Sequence, residues 1–368
     1  MAFPRPRHDI ADIVRAHRPE LERLHRLSRP QKRVLTDISR CRTAALGGHV
    51  EVCTGCGREH PVYNSCRNRH CPKCQAAAQQ KWINARAERI LPVPHFHLVF
   101  TLPSELKPVA MRHPVELYGA LFQVTGEVLA ELGRTHLRAT LGLTLVLHTW
   151  TRDLRFHPHV HVLATAGGLS RDGSRFVHTR RDYLFPVKAM GKLLRGKMLD
   201  ALRNLRRKGV LSEQGFNALM GALARHKSWV VYAKAPFRRS QHVLSYLGRY
   251  THRVGIANSR LIDVGPGHVT FCTRGKQTAT LHPVEFLRRF VQHVLPDGFH
   301  KIRHFGLYAS AQGGGLLEQA KALLPAPKSR PGACPAEGTG QRCPHCGGLI
   351  LWRPLMAESS RAPPAVMP

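Results

Sequence analysis

The sequence predicts an α+β protein in which an antiparallel sheet with flanking helices follows a small helical and zinc-ribbon domain. Three observations carry this reading. Residues 155 to 168, RFHPHVHVLATAGG, have the alternation of a buried strand loaded with imidazole. Around them the apolar pattern runs strand, helix, strand, strand, which builds a sheet from neighbouring segments. Six cysteines fall between Cys41 and Cys74, four of them as Cys53-x-x-Cys56 and Cys71-x-x-Cys74.

Composition limits what such a fold can meet. A chain of 368 residues with 43% apolar content can bury the cores of two or three domains. It carries 56 Lys and Arg against 23 Asp and Glu, a formal +33, so the expected partner is polyanionic. The basic residues are spread through every segment, without a basic amphipathic helix or an apolar span, which favours nucleic acid over a membrane. The opening MAFPRPRHDI has no apolar core of a signal peptide, so a cytoplasmic protein, nucleoid-associated when bound to DNA, is expected. In that reducing compartment cysteines serve as metal ligands.

Residues 1 to 92 read as the first domain. Ile10, Ile13, Val14, Leu21, Leu24 and Leu27 have helical spacing, and Ser28 with Gln31 forms a capping box that starts a second helix. The two CxxC pairs follow on either side of a short hairpin. Thiolates two residues apart grip one ion from a single turn, so Cys53, Cys56, Cys71 and Cys74 are expected to close a tetrahedral zinc site. Cys66 and His70 are alternate ligands, and His49, Cys41 or His60 are candidates for a second ion. A helix from Gln75 to Ile90 ends at Leu91-Pro-Val-Pro94, the first boundary.

Residues 95 to 310 read as the second domain. Strands are expected at His95 to Leu102, Leu141 to Trp150 and through the histidine run, with a helix at Pro114 to Leu137. His159 and His161 point to one face while Val160 and Val162 pack behind them, a two-nitrogen claw for a divalent ion. Its third ligand is open among His148, Asp153, His157 and His242. Phe176 to Leu184 and Trp229 to Lys234 read as strands, and Met190 to Arg207 and Ser212 to His226 as basic helices. Residues 236 to 260 have helical spacing through Val243, Leu244, Leu247 and Val254, which puts Tyr246 and Tyr250 on one face. Arg238, Arg239, Arg249 and Arg253 surround them and suit phosphate. Strands at Leu261 to Val264 and His268 to Thr273, then a helix at Pro283 to Val294, complete the domain. From 311 to 368 the chain reads as a Gly/Pro-rich linker and tail. Its Cys343-Pro-His-Cys346 is half a ribbon that needs Cys334, His345 or another chain to hold metal.

Taken together, NSCRNRHCPKCQ, HPHVHVLATAGG, YLGRYTHRVGIANSRL and IRHFGLY resemble the insertion-sequence 91 family of rolling-circle transposases across residues 40 to 310. The resemblance implies an HUH (His-hydrophobe-His) endonuclease fold of the two-tyrosine type, preceded by a transposase zinc-binding domain. It also implies single-stranded DNA as substrate, Tyr246 and Tyr250 as nucleophiles forming a 5′-phosphotyrosine, and Mg2+ or Mn2+ held by His159 and His161. A plasmid or phage replication initiator or relaxase would use the same chemistry. A non-catalytic zinc-ribbon DNA-binding protein is the reading from another class.

Overall fold

The computed structural model describes residues 7–87, 89–180, 182–212, 214–237, 255–309, 313–325 and 342–355. The chain opens with helices α1 (Ile10–Leu24) and α2 (Arg29–Arg40), each started by a side chain that satisfies an orphan backbone donor. Asp9 accepts from Ala11 N at 3.0 Å. The expected capping box is present: Gln31 N donates to Ser28 Oγ at 3.4 Å and Ser28 N to Gln31 Oε1 at 2.8 Å. A hairpin of β1 (Gly48–Cys53) and β2 (Glu59–Tyr63) follows, then helix α3 (Gln75–Ala87).

The middle of the chain supplies β3 (His95–Thr101), helices α4 (Lys107–Arg112) and α5 (Pro114–Leu132), then the long strands β4 (Ala139–Trp150) and β5 (Phe156–Ser170). Helix α5 stops short of the expected Leu137 and passes into a π turn over Gly133–Leu137. Glycine is needed there, because a Cβ on Gly133 would sit 2.9 Å from the Ala139 carbonyl as the chain folds back into β4. The strand expected at Phe176 to Leu184 is confined to β6 (Phe176–His178). Helices α6 (Val187–Arg207) and α7 (Phe216–Arg225) lead to β7 (Val231–Phe237). Beyond Gly255 come β8 (Leu261–Gly265), β9 (His268–Cys272), β10 (Thr278–Leu281), a helix Pro283–Val291, β11 (Ile302–Gly306), a helix Gly313–Ala322 and β12 (Ile350–Leu355).

The strands β11-β4-β5-β3-β7 pair in that order, with β6 added to β5, and every pairing is antiparallel. The expected α+β architecture is therefore the observed one. Strand parity divides the residues of this sheet. Leu98, Phe100, Leu145, Leu147, Val160 and Val162 face Leu117, Leu121, Met190 and Leu194 of α5 and α6 in one dry cluster. Each such buried side chain contributes about 1.5–3 kcal/mol, so the sheet is a rigid floor. On the opposite face Val146 and Leu163 meet Trp82 of α3 and Ile90. The histidines lie further along that second face.

Helices α1 and α2 do not form a core of their own. Ile10, Ile13, Val14, Leu35 and Ile38 are buried against Val269 and Phe271 of β9 and Phe286, Leu287 and Phe290 of the helix Pro283–Val291. Asp9 fixes the junction by accepting from Asn258 Nδ2 at 2.9 Å and pairing with Lys73 at 2.8 Å. The C-terminal segment also returns to the start of the chain: β12 pairs with β1 and completes a β12-β1-β2 sheet.

Candidate active site and metal centres

Strand β5 sets the site, because its alternation puts His159 and His161 on the face away from Val160 and Val162. Sheet register adds the neighbours. His148 of β4 stands directly opposite His159, while His97 of β3 lies diagonal to His161, whose partner on that strand is Val99. Ligand atoms of His148, His159 and His161 all lie within 4.8 Å of one another. Between the pairs His148↔His159 and Trp150↔Phe156, β5 carries one residue more than β4, a bulge that re-aims this end of β5, and the Trp150 ring stacks on His148 at 4.5 Å.

Hydrogen bonds constrain the tautomers. His159 Nδ1–H donates to the His157 carbonyl at 2.7 Å, which leaves Nε2 as the lone-pair nitrogen, 3.0 Å from Nε2 of His161. His161 Nδ1 lies 2.8 Å from His97 Nε2, and the two rings stack. Burial lowers His159 and His97 to about 4 and His161 well below the usual imidazole range; neighbouring histidines, and Lys234 beside His97, add to it. His97, His159 and His161 are therefore neutral near pH 7 and offer lone pairs.

The cleft over these rings is walled by Trp150, Arg152, Ile256 and Arg260. Arg260 holds its rim together: it donates to Gly255 O at 3.3 Å, to Cys272 O at 2.9 Å and to Arg152 O. Gly255, at φ +63°, lies at the cleft, where an added Cβ would come within 3.2 Å of the Leu154 side chain. A basic surface of Arg152, Arg155, Arg274 and Lys276 adjoins it.

Of the candidate third ligands among the described residues, His148 is the one brought to His159 and His161. Asp153 is engaged by Arg155 at 2.6 Å and by the Thr151 hydroxyl, and His157 contributes its carbonyl to orient His159. His242, Tyr246, Tyr250, Arg238, Arg239, Arg249 and Arg253 lie outside the described residues. His97, Arg152 and Arg260 escaped the sequence reading. The alternation of His95 and His97 in HFHLVF was a signal for His97, but only sheet register reveals which strand it faces.

The expected four-cysteine site is corrected. Cys71 and Cys74 converge with Cys41 and Cys66, whereas Cys53 and Cys56 converge with Cys343 and Cys346. The hairpin is the physical reason. Cys53 and Cys56 sit at its tip, while Cys66, Cys71 and Cys74 follow the end of β2 at its base, beside Cys41 at the C-terminus of α2. A strand of six residues separates tip from base by roughly 17–20 Å, too far for one ion. His70 stays out of both groups and is buried beside Arg69 and Lys301; burial first, then those cations, lowers it to about 3.

In the basal group Cys41 Sγ lies 3.3 Å and Cys66 Sγ 3.6 Å from Cys74 Sγ. The Cys71 thiol, by hydrogen bonding, is the main cause that lowers Cys66 to about 5; burial raises Cys41 to about 11. Four thiolates can share this space only around a cation, and an all-sulfur donor set suits zinc.

Comparison with known proteins gives two family matches, "Transposase zinc-binding domain" over residues 13–102 and "Putative transposase" over residues 142–314. The chain is 39% identical over 335 residues to "Putative transposase y4qJ" of Sinorhizobium fredii, covering 86% of this chain and 84% of that protein. It is 30% identical over 321 residues to "Transposase for insertion sequence element IS801" of Pseudomonas savastanoi pv. phaseolicola, covering 80% and 75%. The chain belongs to the insertion-sequence 91 family of transposases. No solved structure matches it. As a member of that family the transposase acts on DNA, in keeping with its +33 charge. Its zinc-binding domain contains the group Cys41, Cys66, Cys71 and Cys74, and its transposase region contains the three converging histidines. Among the described residues no helix is long and apolar enough to cross a membrane.

Proposed function

We propose that this transposase nicks and rejoins single-stranded DNA at the ends of its element in rolling-circle fashion, with Tyr246 and Tyr250 as nucleophiles and the histidine cleft as the phosphate-activating centre. The observation that carries this is the convergence of His148, His159 and His161 within 4.8 Å on a rigid sheet, at the cleft where Gly255 is pinned. Tyr250 precedes Gly255 by five positions and Tyr246 by nine, so a chain reach of about 3.4 Å per residue bounds them within about 17 and 31 Å.

The donor set fits a divalent ion. Three imidazoles favour manganese over magnesium, which prefers oxygen ligands. Bound there, the ion would supply Lewis acidity to a scissile phosphate. The residues do the rest. Arg152, Arg155, Arg274 and Lys276 hold backbone phosphates along the adjoining surface, and Arg238, Arg239, Arg249 and Arg253 do so beside the tyrosines. The phenolic oxygen of one tyrosine bonds to phosphorus, the bond to the 3′-oxygen breaks, and the 5′-phosphate stays on the protein. The phosphodiester energy is conserved in that linkage, so a 3′-hydroxyl can reverse the step without ATP. Two tyrosines allow one end to be held while a second strand is cut.

The test uses labelled single strands from the DNA flanking the coding sequence, incubated with the full chain and Mn2+. A denaturant-resistant adduct mapped by mass spectrometry to Tyr246 or Tyr250, and absent in His159→Ala/His161→Ala, supports the proposal. Cleavage that leaves no protein–DNA linkage, or a linkage elsewhere, overturns it.

A further inference from the structure

We infer that Cys53, Cys56, Cys343 and Cys346 form a second structural zinc site, which clasps the C-terminal strand β12 onto the N-terminal hairpin. It is separate from the basal group Cys41, Cys66, Cys71 and Cys74 and independent of the chemistry in the histidine cleft. Four sulfurs from opposite ends of the chain lie within 4.8 Å of one another, with Cys53 Sγ 3.4 Å from Cys346 Sγ and Cys56 Sγ 3.8 Å from Cys343 Sγ. A zinc tetrahedron with Zn–S near 2.3 Å has S···S edges of about 3.8 Å.

The two halves are built alike. Each is a CxxC turn closed by a glycine in the left-handed region, Gly57 at φ +68° and Gly347 at φ +76°. Gly57 N donates to Cys53 O at 3.0 Å, and Gly347 N donates to Cys343 O at 2.9 Å. Each half also makes room for the other's sulfur. A Cβ on Gly55 would lie 3.2 Å from Cys346 Sγ, and one on Gly348 would lie 3.1 Å from Cys53 Sγ. In the first turn Gly55 N and Cys56 N point at Cys53 Sγ, at 3.4 and 3.5 Å, the arrangement that stabilises a thiolate.

The packing gives an independent reason for metal. In the β12-β1-β2 sheet only Val50 and Cys53 are buried, while Leu351 and Trp352 of β12 are 60% and 67% exposed. Three strands without an apolar face are marginal in water and need a staple. A zinc tetrathiolate supplies one, because its binding free energy is folding free energy. Without it the six pairings from Gly48↔Leu355 to Cys53↔Ile350 would rest on backbone hydrogen bonds, the His49–Trp352 stack and an exposed Arg353–Glu59 ion pair.

The test counts zinc in the full chain carrying His159→Ala/His161→Ala, so that the cleft takes none. Adding Cys343→Ser/Cys346→Ser should remove one equivalent and speed amide exchange in β1, with β5 unchanged; unchanged zinc content overturns the proposal. Cys41→Ser/Cys71→Ser reports on the basal group separately, so a failure there does not touch this site. If the tail variant is insoluble, alkylation of the wild-type chain decides. Protection of Cys343 and Cys346 by zinc supports the clasp, and equal labelling with and without zinc overturns it.

Discussion

Nε2 of His97 lies 2.8 Å from Nδ1 of His161. For His161 to turn a lone pair toward His159, its proton must sit on Nδ1 and be donated to His97. His97 is thus a positioning residue that selects the metal-holding tautomer. Replacing it with Ala should raise the metal concentration needed for half-maximal nicking by about 10–100-fold, the usual cost of losing such a partner. His97→Gln keeps an acceptor and should fall between. DNA affinity measured without added Mn2+ should not move; if it falls in step with nicking, His97 only supports the fold.

Acid should destabilise the fold through buried histidines that are not among the converging three. His95 Nδ1–H donates to Val93 O at 2.8 Å, and its Nε2 lies 2.8 Å from the Tyr308 hydroxyl, which also accepts from Leu91 N. His293 is held between Leu154 O and the Thr149 hydroxyl. Burial lowers both to about 4 from 6.5. Between those values the unfolded chain binds protons that the folded chain refuses, so stability is present above pH 6.5 and lost as pH falls toward 4. Each histidine accounts for on the order of 3 kcal/mol of the loss over that whole range. Urea melts at pH 7, 6, 5 and 4.5 check it: His95→Gln should flatten the dependence, whereas a dependence caused by zinc release would be the same in the variant as in the wild type.

Gly306 predicts a backbone effect. It sits at φ +57° in β11 opposite Gly142, and a Cβ there would lie 1.9 Å from the Leu141 carbonyl. The conformation alone costs a non-glycine residue on the order of 1–3 kcal/mol, and the clash with backbone adds to it. Gly306→Ala should therefore lower the denaturation midpoint sharply. Gly221→Ala, in α7 with open space at its Cβ position, is the control and should be neutral or stabilising.

Much of this could be read from the chain because the signals were local. The capping box at Ser28 and the parity of His159 against Val160 depend only on nearby residues. What stayed hidden was partner choice. Loop closure grows by about 0.6 kcal/mol for each doubling of length, so over about four doublings nearness in sequence favours Cys71 over Cys343 as a partner for Cys53 by only about 2.5 kcal/mol, well below the roughly 10–16 kcal/mol of a structural zinc site. The hairpin, which separates its tip from its base, decides instead. His97 was missed for a related reason: parity shows that it shares a face with His95, but the strand it lies beside is fixed only when the sheet assembles.

The tyrosines give the sharpest test of the proposed chemistry. Tyr246→Phe and Tyr250→Phe each remove one hydroxyl and keep the ring, so the fold should survive. If both phenols are nucleophiles, one single variant should still form a covalent adduct on a simple single-stranded oligonucleotide yet fail at the coupled two-cleavage reaction of transposition. The double variant should form no adduct. Tyr308 and Tyr232 are controls of different kinds. Tyr308 is buried against His95, so Tyr308→Phe should cost stability without abolishing the adduct, whereas exposed Tyr232→Phe should change neither. An adduct that persists in the double variant would place the nucleophile at a residue other than Tyr246 and Tyr250. Loss of both reactions at one position alone would make this a single-tyrosine enzyme, its second phenol serving in packing or phosphate contact.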